Sequence, residues 1–145
     1  MPLHLLKLCV GCDSIRDLED WIEENQANAH RLGRIYEQRH TTRMVPKRMD
    51  EISGRGSLYW VIKGQISCRQ LITDIRPFTD EGGIGRCHLM LESTVHPVEP
   101  RPMRPFQGWR YLQAKDAPSD IAGRDDDLTV MPEELRRELT QLGLL

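Results

Sequence analysis

The spacing of apolar residues changes near residue 57, and the change divides the chain. Before it, Ile15, Leu18, Trp21, Ile22 and Ala29 recur at helical intervals, opposite Arg16, Asp17, Asp20, Glu23 and Glu24. That spacing predicts an amphipathic helix over residues 13–32, with its apolar stripe turned to a core. Asp13-Ser14 supplies an N-cap, Asp17 and Glu19 suit the first turn, and Gly33 stops the helix. Ahead of it, residues 3–10 read as a strand ending in a Gly-Cys turn. Residues 35–44 alternate weakly and read as a strand or extended segment. Pro46 opens a short helix over residues 46–52, with Val45, Met49 and Ile52 as its apolar side and Gly54 as its end.

After residue 57, β-branched and aromatic residues dominate. Residues 56–76 are the densest such run, opened by Gly56, broken at Lys63-Gly64 and followed by Pro77. They read as two strands joined by a tight turn at the Lys-Gly pair. Residues 78–84 read as a loop. Residues 85–92 read as a further strand, with Cys87, Leu89 and Leu91 alternating against Arg86, His88 and Met90. Four of the nine prolines crowd into residues 97–105, which are therefore extended and not helical. Residues 106–112 read as a last strand, bulged at Gly108. Residues 114–127 read as an acidic surface loop. Residues 132–142 read as an amphipathic helix with Leu135, Leu139 and Leu142 inward.

Strands cluster in the middle of the chain and do not alternate with long helices. The order predicts an α+β fold with a mainly antiparallel, curved sheet or small β-barrel, flanked by an N-terminal and a C-terminal helix. At 145 residues the chain suits one domain, spanning residues 1–145. Hydrophobic content of 39% and charged content of 29% are ordinary for a globular protein. No apolar run approaches the roughly 20 residues that a membrane span needs, and residues 1–7 are too short and polar for a signal peptide. The sequence therefore predicts a cytoplasmic protein without a membrane partner.

Charge is segregated along the chain. Residues 1–30 hold 2 basic and 6 acidic side chains, residues 31–115 hold 15 and 8, and residues 116–145 hold 3 and 8. The basic middle can attract phosphate, or the acidic ends can fold over it and neutralise it.

Motifs for chemistry are sparse. Cys9-Val10-Gly11-Cys12 is a CxxC between a strand and a helix, a spacing used by redox pairs and by half-sites for zinc. The further ligands a zinc site would need, Cys68, Cys87 or His88, stand singly on separate strands. The sequence thus predicts no metal, no cofactor and no disulfide, with the cysteines as small core residues. Gly82-Gly83-Ile84-Gly85 lacks the Lys-Ser/Thr of a phosphate loop and precedes a strand.

A basic-aromatic constellation remains: Lys47, Arg48, Tyr59, Trp60, Lys63, Arg69, Gln70, Arg76 and Trp109, with Arg43 and Arg110 beside it. Aromatic faces that stack bases, interleaved with cations that meet phosphate, are what single-stranded nucleic-acid binding requires. The plain alternative makes Trp60 and Trp109 core residues with Arg and Lys at strand edges.

Several strings carry a resemblance: Pro46-Lys47-Arg48, residues 56–64, Cys68-Arg69-Gln70, residues 74–78 and residues 104–112. Across nearly its whole length the chain resembles a small alphaproteobacterial family of uncharacterised proteins, a domain of unknown function that implies no activity. A remoter architectural likeness is to PUA-like and ASCH domains, small β-barrels that bind RNA or modified bases. That likeness implies binding, not hydrolysis, because Gly54-Arg55-Gly56 leads into Ser57 and Tyr59 with no Glu on the strand.

Three functions follow as expectations. The first is a PUA-like domain binding single-stranded RNA or a modified nucleotide through the basic-aromatic face. The second is a small enzyme acting on a nucleotide-like or other anionic substrate, with Lys47 or Lys63 as electrostatic stabiliser and Asp74 or His88 as acid or base. The third is an adaptor for an acidic protein partner.

Overall fold

The computed structural model describes residues 2–121. The helix expected over residues 132–142 and the end of the loop expected over residues 114–127 lie outside them. Every residue of β3 (Ser57–Ile62) is buried, on both faces of the sheet. Such a strand needs neighbours on both edges and cover on both faces. On one edge it pairs in parallel with β1 (Leu3–Leu8), Leu5 beside Leu58 and Lys7 beside Trp60. On the other it pairs antiparallel with β4 (Gln65–Thr79). The β3–β4 turn is Lys63-Gly64, with φ of 51° and 76°. Positive φ at both central residues is the type I′ signature, whose twist matches the flanking strands.

A parallel pair needs a crossover. Here it contains α1 (Ile15–Arg31), β2 (Gln38–Thr42) and the one-turn α2 (Met49–Ile52). The Ser14 hydroxyl caps α1 by accepting from the Asp17 amide at 3.1 Å, while the Asp17 carboxylate accepts from the Asp13 amide at 2.9 Å. Ile15, Leu18 and Ile22 face the core. Trp21, expected with them, is instead 49% exposed. The stripe 15-18-22 leaves position 21 on the flank of the helix, not beneath it.

β4 is 15 residues long and serves two sets of partners. Its first half lies between β3 and β6 (His96–Pro102), and its second half pairs with β5 (Gly85–Leu91). β2 extends the sheet beyond β5, and β7 (Trp109–Gln113) closes the far edge on β1. A 3-10 turn follows at Ala114–Asp116. Register shifts at Trp60/Val61, Ile66/Cys68 and Ile72/Asp74 bend the strands, since an extra residue on one side increases local twist. The result is an α+β fold whose seven-stranded sheet is curved but open, with β2 and β7 at its ends. The pairing is antiparallel except between β1 and β3. No closed barrel forms among the described residues.

Two cores result. Leu5, the α1 residues Ile15, Leu18 and Ile22, and Ile52, Leu58, Trp60, Ile72 and Leu89 fill the face beneath the helices. Leu6, Tyr59, Val61, Ile66, Val98, Phe106 and Leu112 fill the opposite face. Among the described residues, no helix is long and apolar enough to cross a membrane.

The tightest point is Gly56, at the entrance to β3. A Cβ there would lie 1.9 Å from the Leu3 carbonyl oxygen, well inside van der Waals contact. Gly56→Ala is expected to force β1 and β3 apart and destabilise the fold by more than about 3 kcal/mol. For a chain of this size that lowers Tm by roughly 6 °C or more. Gly85→Ala is the control, since a Cβ there meets nothing within 4 Å. Equal melting of the two variants in a thermal scan would refute the close approach.

Candidate functional site

Strand periodicity scatters the basic-aromatic residues. Tyr59 and Trp60 are consecutive in β3, so they point to opposite faces. Tyr59 is buried in the second core with His4 edge-on to its ring at 5.1 Å. Trp60 is buried in the first. Arg69 is turned to the second face, where its fork grips the Asp120 carboxylate at 2.7 and 2.8 Å and its third nitrogen donates to the Ser57 hydroxyl. That clamp holds the Asp120 carboxyl below the usual carboxylate range and ties the end of the described chain to β4. Arg76 is shared between Asp74 and Glu37. Arg48 forks onto Glu51 beside the Tyr111 ring. Trp109 meets Tyr111 edge-on and donates to the Met44 carbonyl at 2.7 Å. Lys47 is exposed beside α2, and Lys63 is exposed at the hairpin tip. These residues do not line one concave surface.

Trp60 and Gln70 do come together. The Trp60 indole donates to Gln70 Oε1 at 2.9 Å, and Gln70 Nε2 donates to Gln38 Oε1 at 3.1 Å and to the Glu92 carbonyl at 2.8 Å. Gln70 is fully buried. Its satisfied amide fixes the indole and couples β3, β4 and β2 through one polar thread.

Above the Trp60 ring lies a cavity of about 600 Å³. Its walls are the end of β1 with Lys7, the loop Cys9-Val10-Gly11-Cys12, the first turns of α1 with Asp17 and Trp21, and β2 with Gln38, Arg39, His40 and Thr41. It lies at the carboxyl end of β1, where the chain turns into a helix. A groove of about 460 Å³ continues from it along α1 and residues 34–39, sharing Trp21, Gln38 and Arg39.

The cavity is chemically uneven. Lys7 points to the same face as Leu5 and Trp60, and burial holds its amine below the usual lysine range. Among the described residues no carboxylate pairs with it. The His40 ring stands edge-on to Trp60 at 5.2 Å. Burial, then the charge of Lys7, lower its pKa to about 4, so the imidazole is neutral near pH 7. Its Nε2 is buried without a hydrogen-bond partner among the described residues. An unpartnered buried nitrogen beside a desolvated cation is costly to the fold and useful to a ligand. Lys7 can hold an anion, Trp21 offers a ring face, and His40 and Gln38 can meet polar edges.

Lys7, His40, Gln38 and Trp21 escaped the sequence reading as site residues. Their signal was parity: Lys7 stands between Leu5 and Cys9 at inward positions of one strand, and His40 between Gln38 and Thr42. Among the described residues no three His, Cys, Asp or Glu side chains gather to hold a metal ion. Cys68 is in the first core, Cys87 donates to the Met44 carbonyl at 3.6 Å, and His88 stacks on Phe78 on the other side of β5.

His40 makes stability depend on pH. Its folded pKa of about 4 lies below the ordinary 6.5, so between those values the unfolded chain binds a proton that the folded chain refuses. Stability is complete above about pH 6.5 and falls as the pH drops towards 4, by on the order of 2–3 kcal/mol. His4 and His88 are also lowered and act in the same direction, so the comparison must be with His40→Gln. Urea melts at pH 7 and 4.5 should show a larger loss for the parent than for the variant. Equal losses would mean that His40 is not the titrating group.

Comparison with known proteins adds a family. No curated protein and no solved structure matches the chain. The family model described as "Protein of unknown function (DUF1489)" matches residues 5–145. A match over nearly the whole chain, open sheet and indole-floored cavity included, means that the protein belongs to the DUF1489 family.

Proposed function

We propose that the protein is a binding module for RNA or a modified nucleotide, and that the nucleotide enters the cavity over Trp60. The observation that carries this reading is the coincidence, around one cavity of about 600 Å³, of a half-buried Lys7 that no carboxylate pairs with among the described residues, a His40 whose buried Nε2 has no partner among them, and the exposed ring of Trp21. A volume of that order suits one small ligand. A nucleotide needs those three contacts: a cation for phosphate, a polar edge for the base and an aromatic face to stack on. The groove along α1, with Arg39 and Arg34 on it, supports continuation of the ligand as a strand. The acidic outer side of α1, which carries Asp20, Glu23 and Glu24, restricts that strand to the side of residues 34–39.

Titration with ribonucleoside 5′-monophosphates and short single-stranded RNAs tests the reading. Lys7→Gln should weaken binding roughly tenfold to a hundredfold, as loss of a charged hydrogen bond does. It should also flatten the salt dependence by about 0.7 log–log unit on a single strand. Trp21→Ala should cost about 1–3 kcal/mol with the salt slope unchanged. Lys47→Ala and Lys63→Ala, remote from the cavity, should bind like the parent. If those two variants lose RNA and Lys7→Gln does not, the ligand lies on an exposed face and not in the cavity. Absence of binding at low salt would refute the reading.

The perturbed Lys7 and His40 favour a second reading, a small enzyme acting on the bound anion. Its test is turnover of nucleotides that the protein binds, which His40→Gln should abolish even at saturating nucleotide.

A further inference from the structure

We propose that Cys9 and Cys12 form a redox-active dithiol that exchanges with small disulfides entering the cavity beside β1. Four observations support it. Both side chains line the cavity, whereas Cys68 and Cys87 are fully buried. The four residues Cys9 to Cys12 form a turn, closed by the Cys12 amide on the Cys9 carbonyl at 3.4 Å with Gly11 at φ 85°. Such a turn keeps its end Cα atoms within about 7 Å, and a disulfide bridges Cα atoms roughly 4.4–6.8 Å apart. The two thiols are near enough that Cys12 helps to raise the Cys9 pKa. Finally, Cys12 stands two residues before the Ser14 cap of α1, near the positive end of a 17-residue helix, and Lys7 lines the same cavity. A positive helix end and a nearby cation stabilise the negative charge carried through thiol–disulfide exchange, and Asp17 opposes that at Cys9.

The environments assign the order of events. Burial, then the Cys12 hydrogen bond, push the Cys9 thiol well above its usual range, so Cys9 is the poorer first nucleophile. Cys12, deprotonated, attacks one sulfur of a low-molecular-weight disulfide. A Cys12 mixed disulfide forms and one small thiolate leaves. Cys9 then loses its proton to solvent and attacks Cys12 Sγ, forming the Cys9–Cys12 bond and expelling the second small thiolate. Two protein thiols are oxidised, one small disulfide is reduced to two thiols, and the two protons lost by the cysteines balance the thiolates released. The proposal stands whether or not a nucleotide occupies the cavity.

The test equilibrates the reduced full-length chain with glutathione buffers from fully reduced to fully oxidised. Acid quenching, unfolding, alkylation and peptide mass spectrometry then locate each bond. The expected result is a Cys9–Cys12 disulfide, with Cys68 and Cys87 alkylated as free thiols. Cys9→Ser should stall with glutathione on Cys12, and Cys12→Ser should react far more slowly. A dithiol that stays reduced in fully oxidised glutathione would overturn the proposal. So would a Cys9–Cys68 bond, or faster glutathionylation of Cys12→Ser than of Cys9→Ser. Circular dichroism of each variant separates loss of fold from loss of exchange.

Discussion

The parallel contact between β1 and β3 is the constraint on which the rest of this protein depends. These strands approach so closely at Gly56 that no side chain fits between them and Leu3. Every other pairing in the described sheet is antiparallel, and β3–β4 and β4–β5 follow one another directly along the chain. The parallel pair alone requires a long crossover, and the residues between β1 and β3 supply the helix and edge strand that cover the first core. The same crossover creates the cavity. The chain leaves β1 at its carboxyl end, turns through Cys9–Cys12 into α1 and returns as β2, leaving a gap over Trp60 that neither fills.

Buried polarity is handled differently on the two faces. On the second face, the Arg69–Asp120 fork, the Ser57 hydroxyl and His4 satisfy one another. His4 Nδ1 accepts from the Ser57 amide at 2.9 Å, so even the histidine is accounted for. This cluster is structural: it anchors the segment after β7 to the middle of the sheet. Beneath α1, the Trp60–Gln70–Gln38 thread is satisfied too, but beside it His40 Nε2 has no partner among the described residues and burial depresses the Lys7 amine. An unpartnered imidazole and a half-buried cation at the cavity wall separate a candidate site from a polar core.

The cysteines follow the same division. Cys68 and Cys87 are small residues enclosed by the first core, and their chemistry is packing. Cys9 and Cys12 lie where the core runs out and the cavity begins. One chain therefore holds two kinds of thiol, single cysteines enclosed by the core and a CxxC pair at the cavity.

Local pattern was sufficient for the elements. Ser14 and Asp17 cap α1 as their types require, Lys63-Gly64 makes the turn between two β-rich runs, and Pro97, Pro100 and Pro102 lie in the extended β6. These outcomes depend on short-range sterics and hydrogen bonds, which a sequence displays directly. The alternation of Cys87, Leu89 and Leu91 likewise revealed which side of β5 is inward. Tertiary structure decided what lies beside what. Consecutive Tyr59 and Trp60 read as one aromatic patch in the sequence, yet the pleat sends them to different cores. Arg69 and Arg76 read as free cations, yet carboxylates 51 and 39 residues away in the chain take them. Lys7 and His40 are distant in the sequence and meet only because β1 and β2 flank the same opening. Periodicity carries the direction of each side chain, but its partners depend on strand order, and strand order is set by long-range pairing that no local window contains.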